Sequence, residues 1–279
     1  NRQRTVLRLA SGPAVTVAKD LVYVPGSANP KHRLDVYAPP GAHGAPVVHF
    51  IHGGYWTEGD KDYLRAITGL YGSVGVALAR RGVVTFVQSY RLAPEVDIDG
   101  MLDDVLAAIR FTEQHAADYG GDPARVFVMG HSAGGHLAAM IATDPELQTR
   151  RGMEPNAIRG FIPISAVWDI EGMHGAKDEA FNERVTYRVF RRDPARWARY
   201  SPLARLAAGA PPMLVMIGTR DTPFMIPEAE RAHARLTALG ARHRFVSVEG
   251  NDHEAMVLRF GAKDDDMTDA VVDFVTKPP

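Results

Sequence analysis

The sequence predicts an α/β fold: a mostly parallel, doubly wound sheet with flanking helices and a small cap. Three observations lead there. Short apolar, often β-branched runs recur along the chain, a turn-forming or Gly-rich segment follows each, and amphipathic helical stretches separate them. Strands alternating with helices imply right-handed crossovers and helices on both faces of the sheet.

The first two elements differ from the rest. Lys19 to Val24 and His32 to Ala38 alternate in polarity, as an antiparallel pair on one sheet edge would, and Pro39-Pro40-Gly41 turns the chain. The buried strands then follow as Val47 to Ile51, Val83 to Val87, Val126 to Met129, Gly160 to Ile164, Met213 to Ile217 and Arg244 to Val248. Leu102 to Asp118 reads as a helix from the spacing of Leu102, Val105, Leu106 and Ile109, and His136 to Thr143 as another. Asp169 to Tyr200 interrupts the rhythm and is the expected cap, at about 169–200 of a single domain spanning 1–279. Asp264 to Pro279 reads as a surface helix with a short tail, and no internal repeat or low-complexity tract is seen.

Bulk properties exclude several classes. Lys and Arg number 32 against 33 Asp and Glu among 279 residues, so no basic excess is available for nucleic acid or an anionic membrane. The Arg-rich stretch Arg184 to Arg205 is interleaved with apolar residues and reads as a solvated helical face. There are no cysteines, which removes disulfides, thiolate nucleophiles and thiolate-bound metals but leaves the compartment open. No apolar run reaches the roughly 18 residues of a spanning helix. The chain starts at Asn1 rather than Met, so both a cytoplasmic protein and one exported after signal removal are expected readings. Oligomeric state stays open.

The chemistry is carried by Gly130-His131-Ser132-Ala133-Gly134, a G-x-S-x-G between a predicted strand and a predicted helix. Small residues must flank a serine on so tight a turn, and the helix start adds backbone N–H groups beneath a developing oxyanion. A glycine-rich loop that merely packs a helix against a strand is the bland alternative. His52-Gly53-Gly54-Tyr55-Trp56 directly follows the Val47 strand, so the amides of Gly53, Gly54 and Ala133 are the predicted oxyanion donors. His52 reads as a structural residue of that loop. Tyr55 and Trp56 stand equally as core aromatics or a substrate wall.

Among 11 histidines, position chooses the base. His253 follows the last predicted strand and Asp221 follows the Met213 strand, both at the sheet edge that carries Ser132. Ser132, Asp221, His253 is thus the predicted triad, with His253 as general base and Asp221 as the acid that orients it. Asp252 and Asp122 read as turn residues, His136 as a packed helix residue, and Glu249 as a weaker candidate for the acid. His49 and His52 lack a third ligand, so no metal and no cofactor are implied.

From about Leu34 to Met256 these motifs resemble the α/β-hydrolase esterases of the hormone-sensitive-lipase-like branch. The matching pieces are Leu34 to Tyr37, His52-Gly53-Gly54, Tyr90 to Glu95, Asp122 to Val126 and Gly130 to Gly135. A second resemblance is to the aryl or kynurenine formamidases, through His52 to Trp56, Gly130 to His136, Arg159 to Glu171 and Ser201-Pro202. Lipase-like members usually carry a third glycine where Tyr55 stands and an acidic residue where His131 stands. Those departures pull towards the formamidases; Tyr90 to Glu95 pulls back. With few residues ahead of Lys19 to build a large helical cap, an open pocket is expected.

These resemblances imply a serine carboxylesterase working through an acyl-enzyme on Ser132. A small-molecule ester or amide is the expected partner, with Tyr55, Trp56, His131, Trp168 and Phe224 as candidate substrate-binding residues. N-formyl aromatic amide hydrolysis is the alternative, and a non-catalytic small-molecule binder of hydrolase fold the minor one.

Overall fold

The computed structural model describes residues 14–63, 70–150, 152–154 and 157–277. The expectations for the segment ahead of Lys19 and for the tail at 278–279 fall largely or wholly outside them. Eight strands form one sheet in the order β1-β2-β4-β3-β5-β6-β7-β8. They are β1 (Thr16–Val22), β2 (Arg33–Ala38), β3 (Ala45–Ile51), β4 (Val84–Gln88), β5 (Gly121–His131), β6 (Ile158–Ile164), β7 (Met213–Gly218) and β8 (His243–Val248). The β1–β2 and β2–β4 pairs are antiparallel and all others are parallel. This is the predicted α/β-hydrolase architecture, with its antiparallel edge.

Helices cover both faces. In chain order the α-helices are α1 (Gly72–Arg80), α2 (Ile98–His115), α3 (Ala133–Thr143), α4 (Pro145–Arg150), α5 (Ile170–Ala176), α6 (Glu179–Phe181), α7 (Tyr187–Phe190), α8 (Pro194–Arg199), α9 (Pro202–Arg205), α10 (Met225–Ala238), α11 (Ala255–Leu258) and α12 (Asp266–Thr276). One face packs α1, α11 and α12 on Val48, Phe50, Phe127 and Met129. The other packs α2, α3, α10 and the 166–206 region on Ile51, Val128 and Val215. Strand residues alternate between these two cores, which is why the runs are apolar at every position.

Element ends differ from the sequence reading for local reasons. Helix α2 begins four residues before Leu102 because the Asp97 side chain accepts from the Gly100 amide at 3.4 Å and caps it. It closes through a 3₁₀ turn, Ala116–Tyr119, that stops at left-handed Gly120. Strand β5 starts at Gly121, where it already pairs with Ala45 of β3. The sequence pattern does not mark helix α10: its buried residues Met225, Glu228, Ala229, Ala232 and Leu236 include two alanines and a glutamate and read as weakly apolar.

The 169–200 region is a set of short helices rather than one element, joined by a π-helical turn at Asn182–Thr186. Its entrance is tied to α10. Glu228 is 1% exposed, and its Oε2 accepts from the amides of Trp168 (2.8 Å) and Asp169 (3.2 Å) while Oε1 has no partner. Burial, and then the nearby Asp169 charge, outweigh those bonds and push its carboxyl up to about 7. A carboxyl raised from 4.5 in this way stabilises the fold fully below 4.5, and that contribution is lost as pH rises through 7. Wild type is therefore expected to lose melting temperature relative to Glu228→Gln between pH 5 and 8.5; parallel curves would contradict this.

Candidate active site

Ser132 stands between β5 and α3 with φ 55° and ψ −119°. That is the left-handed region, costly for a residue with a Cβ, and it persists because the surroundings over-determine it. The Ser132 amide donates to the Ile164 carbonyl at 2.9 Å, and its carbonyl accepts from His136. Glycine is required on both sides of the turn. A Cβ on Gly130 would lie 2.2 Å from the Gly134 carbonyl oxygen, and one on Gly134 would lie 2.2 Å from that of Ile51. The helix therefore begins at Ala133, three residues before the predicted start.

The loop after β3 lies against this turn: an ideal Cβ on Gly53 would come 3.1 Å from Ser132 Cβ. Gly54, Tyr55 and Trp56 all have positive φ, at 113°, 50° and 60°. The Gly54 carbonyl accepts from Thr57 and Glu58 to close the loop. Beneath it, Tyr90 stacks on His52 at 4.4 Å and donates its hydroxyl to the His52 carbonyl at 3.1 Å. His52 Nδ1 is 2.7 Å from the Gly53 carbonyl oxygen, and burial pulls its pKa down to about 4, so it is a neutral strut. The Tyr90 to Glu95 motif thus acts here as the underside of the loop.

One predicted donor is not available as expected. The Gly53 amide donates to the Tyr71 hydroxyl at 3.1 Å, so it is already satisfied. Among the described residues no hydrogen bond engages the amides of Gly54, Tyr55 or Ala133. Tyr71 came from outside the motif, and no local pattern marks it; it reaches the loop because α1 packs on that face of the sheet.

At the ends of β7 and β8 the loops are stitched together. The Arg220 amide donates to the Asn251 carbonyl at 3.0 Å, and the Gly250 amide to Thr219 Oγ1 at 2.8 Å. This brings His253 Nδ1 within 2.8 Å of Asp221 Oδ1. Asp221 is almost fully buried, which alone would raise its carboxyl. The His253 bond and charge, the Ser165 hydroxyl and the Thr222 amide together bring it below its ordinary value. With Nδ1–H donated to Asp221, Nε2 is left as the basic nitrogen. No hydrogen bond joins Ser132 Oγ to His253 among the described residues; such bonds are often long until substrate binds.

Ser165 escaped the sequence reading. It directly follows β6, has φ 46°, is wholly buried, and its hydroxyl donates to Asp221 Oδ2 at 2.5 Å. The rivals for the acid and base are committed elsewhere. Asp252 accepts from the Ala255 amide, Asp122 from the Ala124 amide, and His136 bonds the Tyr200 carbonyl at 2.8 Å, while Glu249 is exposed. Both ring nitrogens of His49 are taken, by Thr112 and Gln88.

Three of the five expected substrate contacts need correction. Trp56 and Trp168 are 0% exposed. Trp56 packs edge-on against His136 and Phe190, so it is a core aromatic, drawn inward by its strained backbone. His131 sits against His253, with its Nε2 donating to the His253 carbonyl at 3.0 Å and its ring 4.6 Å from the His253 ring. Burial, then the His253 charge, hold its pKa down to about 3, so it stays neutral and braces the His253 backbone. Tyr55 and Phe224 are half-buried and remain open to a ligand. Phe181, which no motif marks, meets Tyr55 edge-to-face at 5.2 Å.

The BD-FAE family profile matches residues 34–236, most of the chain. The chain belongs to the BD-FAE family. It is 30% identical over 261 residues to a probable isoprenylcysteine alpha-carbonyl methylesterase of Arabidopsis thaliana, covering 87% of this chain and 52% of that one. It is 26% identical to the kynurenine formamidase of Danio rerio, covering 91% and 81%. It therefore spans little more than half the length of the plant methylesterases it matches. An inhibited esterase B from Lactobacillus rhamnosis superposes with a TM-score of 0.79 at 22% identity, covering 96% and 89%, a likeness of fold.

Two variants of this BD-FAE member test the supporting contacts. Ser165→Ala leaves Asp221 Oδ2 buried without a donor and is expected to cost about 1–3 kcal/mol in unfolding free energy. An unchanged urea midpoint would refute that. Tyr71→Phe frees the Gly53 amide and loosens the loop; kcat on p-nitrophenyl butyrate is expected to fall about fivefold, the worth of one ordinary hydrogen bond. Wild-type kcat would show that Tyr71 has no positioning role.

Proposed function

We propose that this chain is a serine carboxylic ester hydrolase with Ser132 as nucleophile, His253 as general base and Asp221 as orienting acid. The observation that carries the reading is the Asp221–His253 hydrogen bond at 2.8 Å, at the sheet edge that also carries a serine held at positive φ between a strand and a helix. Ser132 Oγ attacks the ester carbonyl as its proton passes to His253 Nε2. Gly54 and Ala133 donate their amides to the resulting oxyanion, and Tyr71 holds Gly53 out of that role. Collapse breaks the C–O bond to the alcohol, which takes the proton from His253. Water, deprotonated by the same nitrogen, then cleaves the acyl-enzyme and regenerates Ser132. The chain works as one domain with residues 169–200 as a short cap, a reading supported by the Phe181–Tyr55 contact.

Hydrolysis of an N-formyl aromatic amide is the second reading. Trp56, Trp168 and His131 no longer speak for it, being buried away from a ligand. The rim of Tyr55, Phe181 and Phe224 and the likeness to a kynurenine formamidase do.

The test compares p-nitrophenyl acetate, butyrate and octanoate with N-formylkynurenine, using Ser132→Ala as control. Ester turnover is expected to dominate and to fall by at least about 10⁴-fold in the variant. Retained activity in Ser132→Ala would overturn the mechanism, and a dominant formamide rate would select the second reading. Failure of wild type to label with a fluorophosphonate would favour a binder over an enzyme.

A further inference from the structure

Lys177 has no partner of opposite charge where its sequence would supply one. It ends α5 between a helix and two acidic neighbours, yet both neighbours are occupied. Asp178 caps α6 by accepting from the Phe181 amide at 2.8 Å. Glu179 accepts from the Tyr187 hydroxyl at 3.0 Å and from Arg192 at 3.3 Å. Among the described residues no carboxylate pairs with the Lys177 ammonium. Instead it lies over two aromatic faces, 5.0 Å from the Phe181 centroid and 5.2 Å from that of Phe224. Cation–π attraction holds the ammonium there without neutralising it.

The backbone beneath is fixed as well. Asn182 is buried, donates through Nδ2 to the carbonyls of His174 (3.1 Å) and Lys177 (3.3 Å), and is itself bonded by Thr186 at 2.8 Å. The Lys177 side chain therefore rises from a rigid base and is half-buried.

Position gives this charge its meaning. Phe224 lies three residues after Asp221, and Tyr55 follows Gly54 in the loop against Ser132. Phe181, in contact with Tyr55, and Lys177, over both phenylalanines, bridge these two loops. At the other end of the bridge the Tyr55 hydroxyl is raised in pKa, by burial first and then by Glu254, Asp221 and Glu58. Carboxylates therefore lie towards Tyr55, and the Lys177 ammonium lies over both phenylalanine rings, with the exposed Arg184 guanidinium farther out, 5.8 Å from the Phe181 centroid alone.

We propose that Lys177 is a specificity-determining residue that selects esters carrying an anionic group, a carboxylate, separated from the scissile bond by an apolar or aromatic spacer. The spacer lies along Phe181 and Phe224, and the carboxylate displaces water at the ammonium. The inference rests on the esterase reading above for its chemistry, not for the binding itself.

The experiment uses two matched pairs: 4-acetoxybenzoate with phenyl acetate, and p-nitrophenyl hemiglutarate with p-nitrophenyl pentanoate. They place the charge on the alcohol and acyl sides in turn. In at least one pair, Lys177→Met is expected to lower the anionic-to-neutral ratio of kcat/KM by about tenfold, through KM, as one charge-assisted bond would. Lys177→Arg is expected to restore it, and added salt to weaken it. Calorimetric Kd values for the same esters on Ser132→Ala, with and without Lys177→Met, read binding without turnover. Ratios that ignore Lys177 in both pairs, in kinetics and in binding, overturn the proposal. If wild type cleaves none of the four esters, the esterase reading falls and the binding ratio alone decides for or against Lys177.

Discussion

The arrangement depends on how closely the first turn of α3 approaches the ends of β3 and β5. Gly134 lies so near the Ile51 carbonyl, and Gly130 so near that of Gly134, that neither tolerates a single added carbon. That approach holds Ser132 in the left-handed region at the sheet edge. It also leaves the Ala133 amide at a helix start, with no carbonyl ahead of it to bond. Parallel register brings the other parts to the same edge. The Ser132 amide reaches across to Ile164 at the end of β6, and the Ser165 amide reaches to Met216 in β7. Each strand end thus hands its loop to the next, and Asp221 and His253 arrive at the same sheet edge as the serine through these steps.

Histidine serves as structure here more than as chemistry. His49, His52, His131 and His136 are buried, and burial holds each at a pKa of about 3 to 4, so they stay neutral. Each bonds a carbonyl or a polar side chain, and three of them brace the region around Ser132: His52 the loop after β3, His131 the His253 backbone, His136 the Tyr200 carbonyl behind Trp56. A neutral imidazole offers one donor, one acceptor and a flat apolar body; His52, His131 and His136 each use one ring nitrogen and leave the other buried without a hydrogen bond, while both nitrogens of His49 are engaged. His253 differs because its ring keeps solvent access while its Nδ1 is engaged by a carboxylate.

Much of the fold was legible because both physical signals involved are local. Runs such as Val47 to Ile51 are apolar at every position only when both faces are covered, and the turn residues after them mark the loops. Helix α10 is not legible, since a buried face that mixes two alanines and a glutamate with Met225 and Leu236 looks neutral in a sequence. Ser132, Asp221 and His253 stand out by their places after predicted strands. Ser165 has the same kind of place, but a serine after a strand is common, and nothing local says that its hydroxyl reaches a carboxylate 56 positions away.

The sequence by itself determined the sheet, the elbow around Ser132 and the family, because glycine spacing and strand patterning act over a few residues. Tertiary structure alone decided which groups are spent and which are free. It turned Trp56, Trp168 and His131 inward, gave the Gly53 amide to Tyr71, and set Ser165 against Asp221. It also laid Lys177 across Phe181 and Phe224. The reason is physical: a backbone amide, an indole or an ammonium has no fixed role until burial and partners from distant elements determine whether its hydrogen bonds and charge are already satisfied.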